Sequence, residues 1–305
     1  MKRKIIFLLN PIAGSGNRSG IKRLIEARMP AMQTEFLLLS TNAEGKYDEV
    51  REKILHEGFT DVIVAGGDGT ISSVVNDLRD TDVNFGLIPC GSGNGLALSA
   101  GISKKAGKAF DNIFSGEPVL TDAFIINQHF SCMLSGLGFD AQVAHDFARQ
   151  EKRGLITYVK QTYSNFLKAQ PYTFTINADG KKINTEAFFI SIANSNQFGN
   201  QFTIAPQASL TDGLLDIVAV QKMSKLQLLF SVLHQITNGK VKERLYTKNK
   251  VIYYQTAKLV IDNHDAAPLH VDGDPKNTAA SFNISIIPNA FRLIRPSSKT
   301  AAQAK

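Results

Sequence analysis

The chain has 305 residues, a formal net charge of +7 and 43% hydrophobic residues, which is enough for two domains with ordinary globular cores. This balance excludes a disordered or fibrous chain, and no apolar run approaches the roughly 20 residues that span a bilayer. Two cysteines, Cys90 and Cys132, are too few for a disulfide framework and lack metal-ligand spacing, so we expect a reduced, cytoplasmic protein. Arginines and aromatic residues are not interleaved as in single-strand binders, so nucleic acid is not an expected partner.

Strand and helix patterns alternate through residues 1–121. Continuous apolar runs predict buried strands, and the more polar, amphipathic segments between them predict helices. In chain order the predicted elements are strand 4–10, helix 18–29, strand 35–40, helix 44–57, strand 61–67, helix 70–79, strand 84–90 and a helix near 94–100. This order indicates βαβ units and therefore an α/β domain with a mostly parallel sheet.

From about residue 122 the pattern changes, and strand-like segments dominate. Turn chemistry such as Asp179-Gly180 separates these segments. The predicted strands are 123–134, 172–178, 186–194, 214–220, 257–263 and 281–288, and helices are expected near 140–150, 155–168 and 224–237. We therefore predict an antiparallel β-sandwich domain over residues 122–288, with residues 289–305 returning to pack on the first domain.

Three loops of small residues follow predicted strands and precede predicted helices, namely 10–16, 65–70 and 89–95. The first loop has neither dinucleotide-binding nor Walker spacing. In the second loop, paired glycines allow close backbone approach to a ligand. Asp68 offers a carboxylate to magnesium or to a reacting hydroxyl, and Thr70 either caps the next helix or binds phosphate. All three loops would lie at the carboxyl edge of a parallel sheet. A nucleotide-phosphate site therefore explains them better than three unrelated turns do.

The motifs in these loops resemble the diacylglycerol kinase catalytic-domain family, which includes bacterial lipid kinases, sphingosine kinases and ceramide kinases. The resemblance covers nearly the whole chain. It rests on Asn-Pro-x-x-Gly at 10–14, Gly-Gly-Asp-Gly-Thr at 66–70, Pro-x-Gly-Ser-x-Asn at 89–94, Gly-Leu-Gly-Phe-Asp-Ala at 136–141, Ala-Pro-x-Ala at 205–208, Asp-Gly-Leu-Leu-Asp at 212–216 and Val-Asp-Gly-Asp at 271–274. It implies a NAD kinase/diacylglycerol kinase-like α/β nucleotide-binding domain with a mostly parallel sheet, plus a C-terminal antiparallel β-sandwich domain that receives the lipid.

The resemblance also implies a reaction, in which the γ-phosphate of ATP is transferred to a lipid hydroxyl with Mg²⁺ present. The residues it places at the nucleotide are Asn10, Thr41, Gly66, Gly67, Asp68, Gly69, Thr70 and Ser92. Bacterial lipid kinases place a glutamate base at the end of an Asp-Gly-Glu motif, where this chain has Asp274, which is one methylene shorter. Asp274 is therefore the expected catalytic base and Asp68 its rival, while the alternative is an exposed Asp-Gly-Asp-Pro turn.

A second, structural metal site is implied by the match at Ser209, Asp212 and Leu214, where two of the ligands would be backbone carbonyls. Oxygen ligands with one carboxylate suit Mg²⁺ or Ca²⁺. A plain turn at Thr211-Asp212-Gly213 remains the alternative.

The identity of the lipid substrate is left open, and a diacylglycerol-like lipid and a sphingoid lipid are the two candidates. The third loop resembles the sphingosine-kinase version, yet the acidic residue that holds a sphingoid amine falls at or near Ala144. We expect a cytoplasmic enzyme of phospholipid metabolism that meets the membrane peripherally, and a homodimer is left open. The basic residues expected to help are Lys240, Lys242, Arg244, Lys248 and Lys250. A NAD kinase-like phosphotransferase and a non-catalytic nucleotide or lipid sensor are the two alternatives.

Overall fold

A computed structural model describes residues 3–11, 18–91, 93–148, 169–197, 203–222 and 250–297. The chain divides into two compact units. Unit 1 comprises Met1–Thr121 with Asn289–Lys305, and unit 2 comprises Asp122–Pro288. In the parts of the chain that the structure describes, no helix is both long enough and apolar enough to cross a bilayer.

Strands and helices alternate in unit 1, as the apolar pattern predicts. In chain order they are β1 (Lys4–Leu9), α1 (Arg18–Met32), β2 (Glu35–Ser40), α2 (Asp48–Glu57), β3 (Asp61–Gly66), α3 (Asp68–Leu78), β4 (Asn84–Pro89), α4 (Gly95–Ser99) and α5 (Ala106–Ser115). The strands form a parallel sheet in the order β2-β1-β3-β4, and residues 292–293 near the end of a late strand extend it in parallel beside β4.

Both faces of this sheet are covered, which explains why its strands read as continuous apolar runs. On one face, Ile5 and Phe7 of β1 pack in a core with Ile25 of α1 and Phe110 of α5. The alternate residues of β1, such as Ile6, point to the other face and are also fully buried. The first helix of the unit therefore forms because its apolar stripe completes the core, not because of strong intrinsic propensity.

Unit 2 consists mainly of antiparallel strands. Its elements are β5 (Glu117–Ile126), β6 (His129–Ser131), β7 (Leu134–Gly138), α6 (Phe139–Ala148), β8 (Tyr172–Ala178), β9 (Lys181–Ala193), β10 (Leu215–Gln221), β11 (Val251–Thr256), β12 (Lys258–Asn263), β13 (Leu269–Val271), β14 (Asp274–Lys276) and β15 (Ser281–Arg295). The first residues of β5 and the last residues of β15 belong to unit 1. The long strand β9 pairs with β8 along its first half and lies between β7 and β10 along its second half. It thereby joins two layers of strands.

The larger of two apolar cores in unit 2 lies between these layers. It takes Leu137, Ile190 and Ile217 from β7, β9 and β10, and Ile176 and Phe282 from β8 and β15. Buried and exposed or half-buried residues alternate along β12 and the start of β15, which is the pattern of a sheet that packs on one face. By contrast, β7 and β10 are buried on both faces, because Leu134, Ala193 and Val218 belong to a second apolar core. The expected α/β domain followed by an antiparallel β-sandwich is therefore confirmed.

Several local predictions need correction or completion. Strands β11, β13 and β14 have no counterpart in the prediction, and helix α2 begins at Asp48 rather than at residue 44. The segment 123–134 is not one strand but β5, β6 and the start of β7, because a two-residue turn at 127–128 reverses the chain. Helix α5 has no counterpart in the prediction, although its apolar residues face the core. Helix α3 begins at Asp68 rather than at residue 70. The helices expected near 155–168 and 224–237 lie outside the described residues.

Candidate functional site

The loops after β1, β3 and β4 meet at the carboxyl edge of the sheet of unit 1. The backbone N–H of Asn10 donates to the carbonyl of Ala65 over 3.0 Å, and that of Cys90 donates to the carbonyl of Gly66 over 2.9 Å. The chain leaves β1 towards β2 on one side and returns to β3 on the other, so β1 and β3 flank the switch point of the sheet. Open α/β sheets bind ligands at such a point because the two following loops diverge there.

The second and third glycine loops touch through their backbones. A Cβ atom added to Gly91 would lie 2.7 Å from the Cα of Gly67, a distance that real Cβ contacts essentially never show. The side chain of Asn94 holds the third loop in shape, because its Oδ1 accepts the N–H of Gly91 over 2.8 Å and its Nδ2 donates to the carbonyl of Gly91 over 2.7 Å. Glycine is therefore required at position 91 by close packing rather than by an unusual φ angle.

Helix α3 starts at this edge with the Gly-Gly-Asp-Gly-Thr motif. Gly67 is the N-cap, and the first-turn N–H groups of the helix point out of its N-terminus, where the helix dipole favours an anion. The Oδ2 atom of Asp68 accepts the N–H of Gly95 over 3.0 Å and so ties α3 to the start of α4. Gly66 is required beside Thr70, because a Cβ at residue 66 would lie 2.8 Å from the Cβ of Thr70.

Thr70 does not cap the helix, contrary to one of the two roles considered for it. It lies inside the first turn, where its Oγ1 accepts a 2.6 Å hydrogen bond from the Nδ2 of Asn10. The first and second loops are thus joined through side chains as well as through the backbone. Gly69 lies between Asp68 and Thr70 in this turn, so five of the predicted nucleotide residues, from Gly66 to Thr70, form one continuous structure.

Thr41 lies at the end of β2, next to the same edge. Its N–H donates to the carbonyl of Leu9 over 3.0 Å, and the residue is buried. The loop that follows packs on α3, where a Cβ on Gly45 would meet the Oγ of Ser73. Asn10, Thr41 and the Gly66–Thr70 motif therefore come together in unit 1, whereas Ser92 lies outside the described residues.

In unit 2, Asp274 follows directly after a tight hairpin turn between β13 and β14. Val271 pairs with Asp274, so Asp272 and Gly273 form a two-residue turn, and both have positive φ angles of 50° and 85°. This Asp-Gly pair has the composition that such turns favour. The exposed turn that the sequence analysis gave as the alternative is present, and it leaves the Asp274 side chain exposed at the start of β14. The role of Asp274 as a base stays a prediction.

The carboxylate of Asp272 anchors this hairpin, a contact that sequence reasoning missed. Its Oδ1 accepts the hydroxyl of Ser131 over 2.6 Å and the N–H groups of Met133 and Leu134 over 3.2 and 3.1 Å. Its Oδ2 accepts the N–H of Cys132 over 3.2 Å. A buried carboxylate is stable only when such donors replace water, and these four replace it almost completely. The run of residues 131–134 carries no side-chain pattern that would have identified it.

The segment Ser209–Leu214 forms a turn in which backbone groups are bound by two carboxylates. The N–H of Leu214 donates to Oδ1 of Asp212 over 3.1 Å, and the N–H of Gly213 donates to Oδ2 of Asp122 over 2.8 Å. Asp122 was not among the predicted ligands. Within the described ranges no cluster of three or more His, Cys, Asp or Glu side chains forms a metal site, so a cation here would depend on backbone carbonyls. The oxygen-only donor set is consistent with Mg²⁺ or Ca²⁺.

Next to this turn, Asp216 of β10 lies fully buried. Burial raises the pKa of its carboxyl group, while hydrogen bonds from Tyr253 and Gln255 of β11 act in the opposite direction and Asp212 adds to the rise. The bonds to β11 turn the carboxylate towards the sheet. Asp216 therefore stabilises the β10–β11 pair through these hydrogen bonds.

Comparison with known protein families assigns both units. The diacylglycerol kinase catalytic domain matches residues 4–125, and the YegS C-terminal NAD kinase beta sandwich-like domain matches residues 134–295. A diacylglycerol kinase of Mycobacterium tuberculosis is 25% identical over 306 residues, which cover 96% of this chain and 95% of that protein. A probable lipid kinase, YegS-like, of Shewanella frigidimarina is 25% identical over 242 residues, which cover 77% of this chain and 76% of that protein.

A solved structure supports the same fold. The crystal structure of a putative diacylglycerol kinase from Bacillus anthracis str. Sterne superposes with a TM-score of 0.78 at 18% identity, and covers 98% of this chain and 96% of that one. The resemblance read from the loop motifs is thereby confirmed. The chain belongs to the diacylglycerol kinase catalytic-domain family, in the group whose second domain is the YegS C-terminal beta sandwich-like domain.

Proposed function

We propose that the protein is a lipid kinase that transfers the γ-phosphate of ATP to the hydroxyl of a diacylglycerol-like or sphingoid lipid. The observation that supports this most directly is the backbone contact between Gly67 and Gly91 at the N-terminus of α3. Because Gly67 and Gly91 have no side chains, the two loops leave room for a phosphate chain against backbone N–H groups. Phosphoryl transfer depends mainly on such positioning and on charge neutralisation.

In this proposal unit 1 binds the nucleotide. The first-turn N–H groups at Asp68, Gly69 and Thr70 hold phosphate oxygens, and Asn10 fixes the rotamer of Thr70 through their 2.6 Å bond. Mg²⁺ would supply neutralisation of the phosphate charge. Asp68 is the residue that would hold it, because its carboxylate lies at the helix start and Mg²⁺ prefers carboxylate oxygen ligands. Thr41 and Ser92 are assigned to the nucleotide by the family resemblance.

Asp274 serves as the base that accepts the proton of the lipid hydroxyl as it attacks phosphorus. The hairpin leaves this carboxylate exposed, as a residue that meets an external substrate must be. Its backbone is held by the Asp272 anchor, which fixes where the short side chain can reach. Ser209, Asp212 and Leu214 form a proposed structural cation site in the same unit, with Asp122 as an additional carboxylate.

The protein would reach its substrate at the membrane surface. Lys250 is exposed, whereas Lys240, Lys242, Arg244 and Lys248 lie outside the described residues. Basic residues are attracted to anionic lipid surfaces by roughly 1 kcal/mol each, and salt screens the attraction. Binding to phosphatidylserine vesicles should therefore weaken with salt and after charge reversal of these five residues. Unchanged binding after charge reversal would contradict surface attraction by this segment.

The test of the function is transfer of ³²P from [γ-³²P]ATP with Mg²⁺ to micellar diacylglycerol, monoacylglycerol, sphingosine, ceramide and undecaprenol, with NAD⁺ as a further acceptor. Asp68→Asn and Asp274→Asn are compared with Asp80→Asn and Asp265→Asn, whose carboxylates are exposed and bond elsewhere. Label in one lipid that is lost in Asp274→Asn while ATP still binds supports the proposal. Label only in NADP⁺ indicates a NAD kinase, and tight ATP binding without any label indicates a sensor.

A further inference from the structure

A buried histidine lies directly beneath the hairpin that presents Asp274. His270 of β13 has no exposed surface, and its Nε2 lies 3.4 Å from Oδ2 of Asp140. Its other ring nitrogen, Nδ1, lies 3.3 Å from the backbone nitrogen of Gly273. A carboxylate only accepts and a backbone N–H only donates, so one neutral tautomer satisfies both contacts: Nε2 carries the proton and Nδ1 accepts from Gly273.

Gly136 of β7 makes the space in which this pair meets. Gly136 lies opposite His270 in the pairing of β7 with β13. A Cβ at residue 136 would overlap the carboxylate of Asp140 and would lie 2.5 Å from the Nε2 of His270. The other carboxylate oxygen of Asp140 accepts the N–H of Ala141 over 2.8 Å, at the start of α6. The pair therefore connects α6 and β7 to the hairpin.

The hairpin turn is thus held at two points. The carboxylate of Asp272 is bound by residues 131–134, and the N–H of Gly273 is bound by His270. Asp274 is the next residue along the chain. Because an aspartate has one rotatable bond fewer than a glutamate, the position of its carboxylate depends more directly on the backbone of the turn.

We propose that Asp140 and His270 are positioning residues, which fix the backbone of the Asp272-Gly273 turn so that the carboxylate of Asp274 is aligned with the substrate hydroxyl. This inference rests on the proposed lipid kinase activity, in which Asp274 is the base. It assigns the Asp140–His270 pair a role in alignment, and neither side chain touches the substrate.

The kinetic test compares two replacements of His270 that differ in one contact. In His270→Asn the amide oxygen can still accept the N–H of Gly273, whereas His270→Leu fills the space without an acceptor. Loss of alignment should lower kcat of His270→Leu by about 10- to 100-fold while KM for ATP stays within about twofold, and His270→Asn should keep kcat within about threefold. His264→Leu, in which an exposed histidine that bonds Thr175 is replaced, is the control and should leave kcat unchanged.

The pair should also act as one unit. Asp140→Ala removes the acceptor for Nε2–H, so kcat should fall by about 10-fold, and the double variant should have a kcat close to that of His270→Leu alone. Full additivity of the two replacements would contradict the inference. Retention of wild-type kcat by His270→Leu, or an equal loss in His270→Asn and His270→Leu, would also contradict it, with thermal melting used to confirm that the variants are folded.

A second measurement separates this inference from the proposed function. NMR of the protein labelled with ¹⁵N-histidine reports which ring nitrogen of His270 carries the proton, with His270→Asn used to assign the signal. The Nε2–H tautomer is expected. The Nδ1–H tautomer would overturn the positioning pair whether or not the protein phosphorylates a lipid. Failure of the wild type to phosphorylate any lipid would refute the proposed function and, with it, the role of the pair.

Discussion

Replacing Gly91 by alanine should weaken ATP binding, because the two glycine loops would have to separate. The new Cβ would lie 2.7 Å from the Cα of Gly67 and 3.1 Å from the Oδ1 of Asn94. Non-bonded carbon atoms are comfortable at about 3.5–4.0 Å, so the loops must part by about 1 Å. A backbone atom cannot rotate away as a side chain can, and overpacking of this kind costs about 1–3 kcal/mol.

This cost should appear in the affinity for nucleotide rather than only in stability. If the loops part in the free protein, they must return to their close contact when ATP binds. The energy then converts to a Kd for ATP that is about 5- to 150-fold higher. Calorimetric titration with ATP and Mg²⁺ measures this change, and thermal melting measures what remains as lost stability.

Two other glycines of unit 1 provide graded controls. A Cβ at Gly67 would lie 3.3 Å from the Cα of Gly91, so Gly67→Ala should have a smaller effect. Gly107 in α5 has nothing within 4 Å of its added Cβ, and Gly107→Ala should leave ATP binding unchanged while stabilising the helix by roughly 1 kcal/mol. Wild-type affinity in folded Gly91→Ala, or a larger loss in Gly67→Ala, would refute the steric argument.

Three further predictions concern two buried contacts and the half-buried thiol of Cys90. Gly136→Ala should lower the melting temperature because its Cβ overlaps the carboxylate of Asp140, and adding Asp140→Ala should restore part of the loss; no restoration would show that the overlap is not the cause. Asp272→Ala removes the acceptor shared by the Ser131 hydroxyl and three N–H groups, so urea unfolding should show a loss of about 3 kcal/mol in the free energy of unfolding. A loss below about 1 kcal/mol would contradict the anchor. Burial raises the pKa of the Cys90 thiol to about 11. Iodoacetamide at pH 8 should therefore label Cys90 at least about 10-fold more slowly in folded than in unfolded protein, and equal labelling rates would contradict this. The stability that the neutral thiol contributes is present below pH 9 and is lost as the pH rises towards 11.

Local patterns in the sequence were sufficient to predict most elements of the fold. Residues 5–9 and 62–65 are apolar at every position because both faces of a parallel sheet are covered, and this pattern is readable without coordinates. The turns at Asp179-Gly180 and Asp272-Gly273 were also predictable, because few residue pairs accept positive φ at both positions. The loop motifs, which depend on residue type and short spacing, were enough to indicate the family.

Contacts between residues far apart in sequence were decided only by the tertiary structure. The sequence contains Gly67 and Gly91, but only the pairing of β3 with β4 brings their backbones into contact. Asp272 was seen as part of an Asp-Gly turn, whereas its burial against residues 131–134 depends on the position of β13 beside β7. The same pairing brings His270 over Gly136 and next to Asp140, 130 residues away. Turns and strands follow from local sterics and polarity, but a buried polar contact depends on which strands become neighbours.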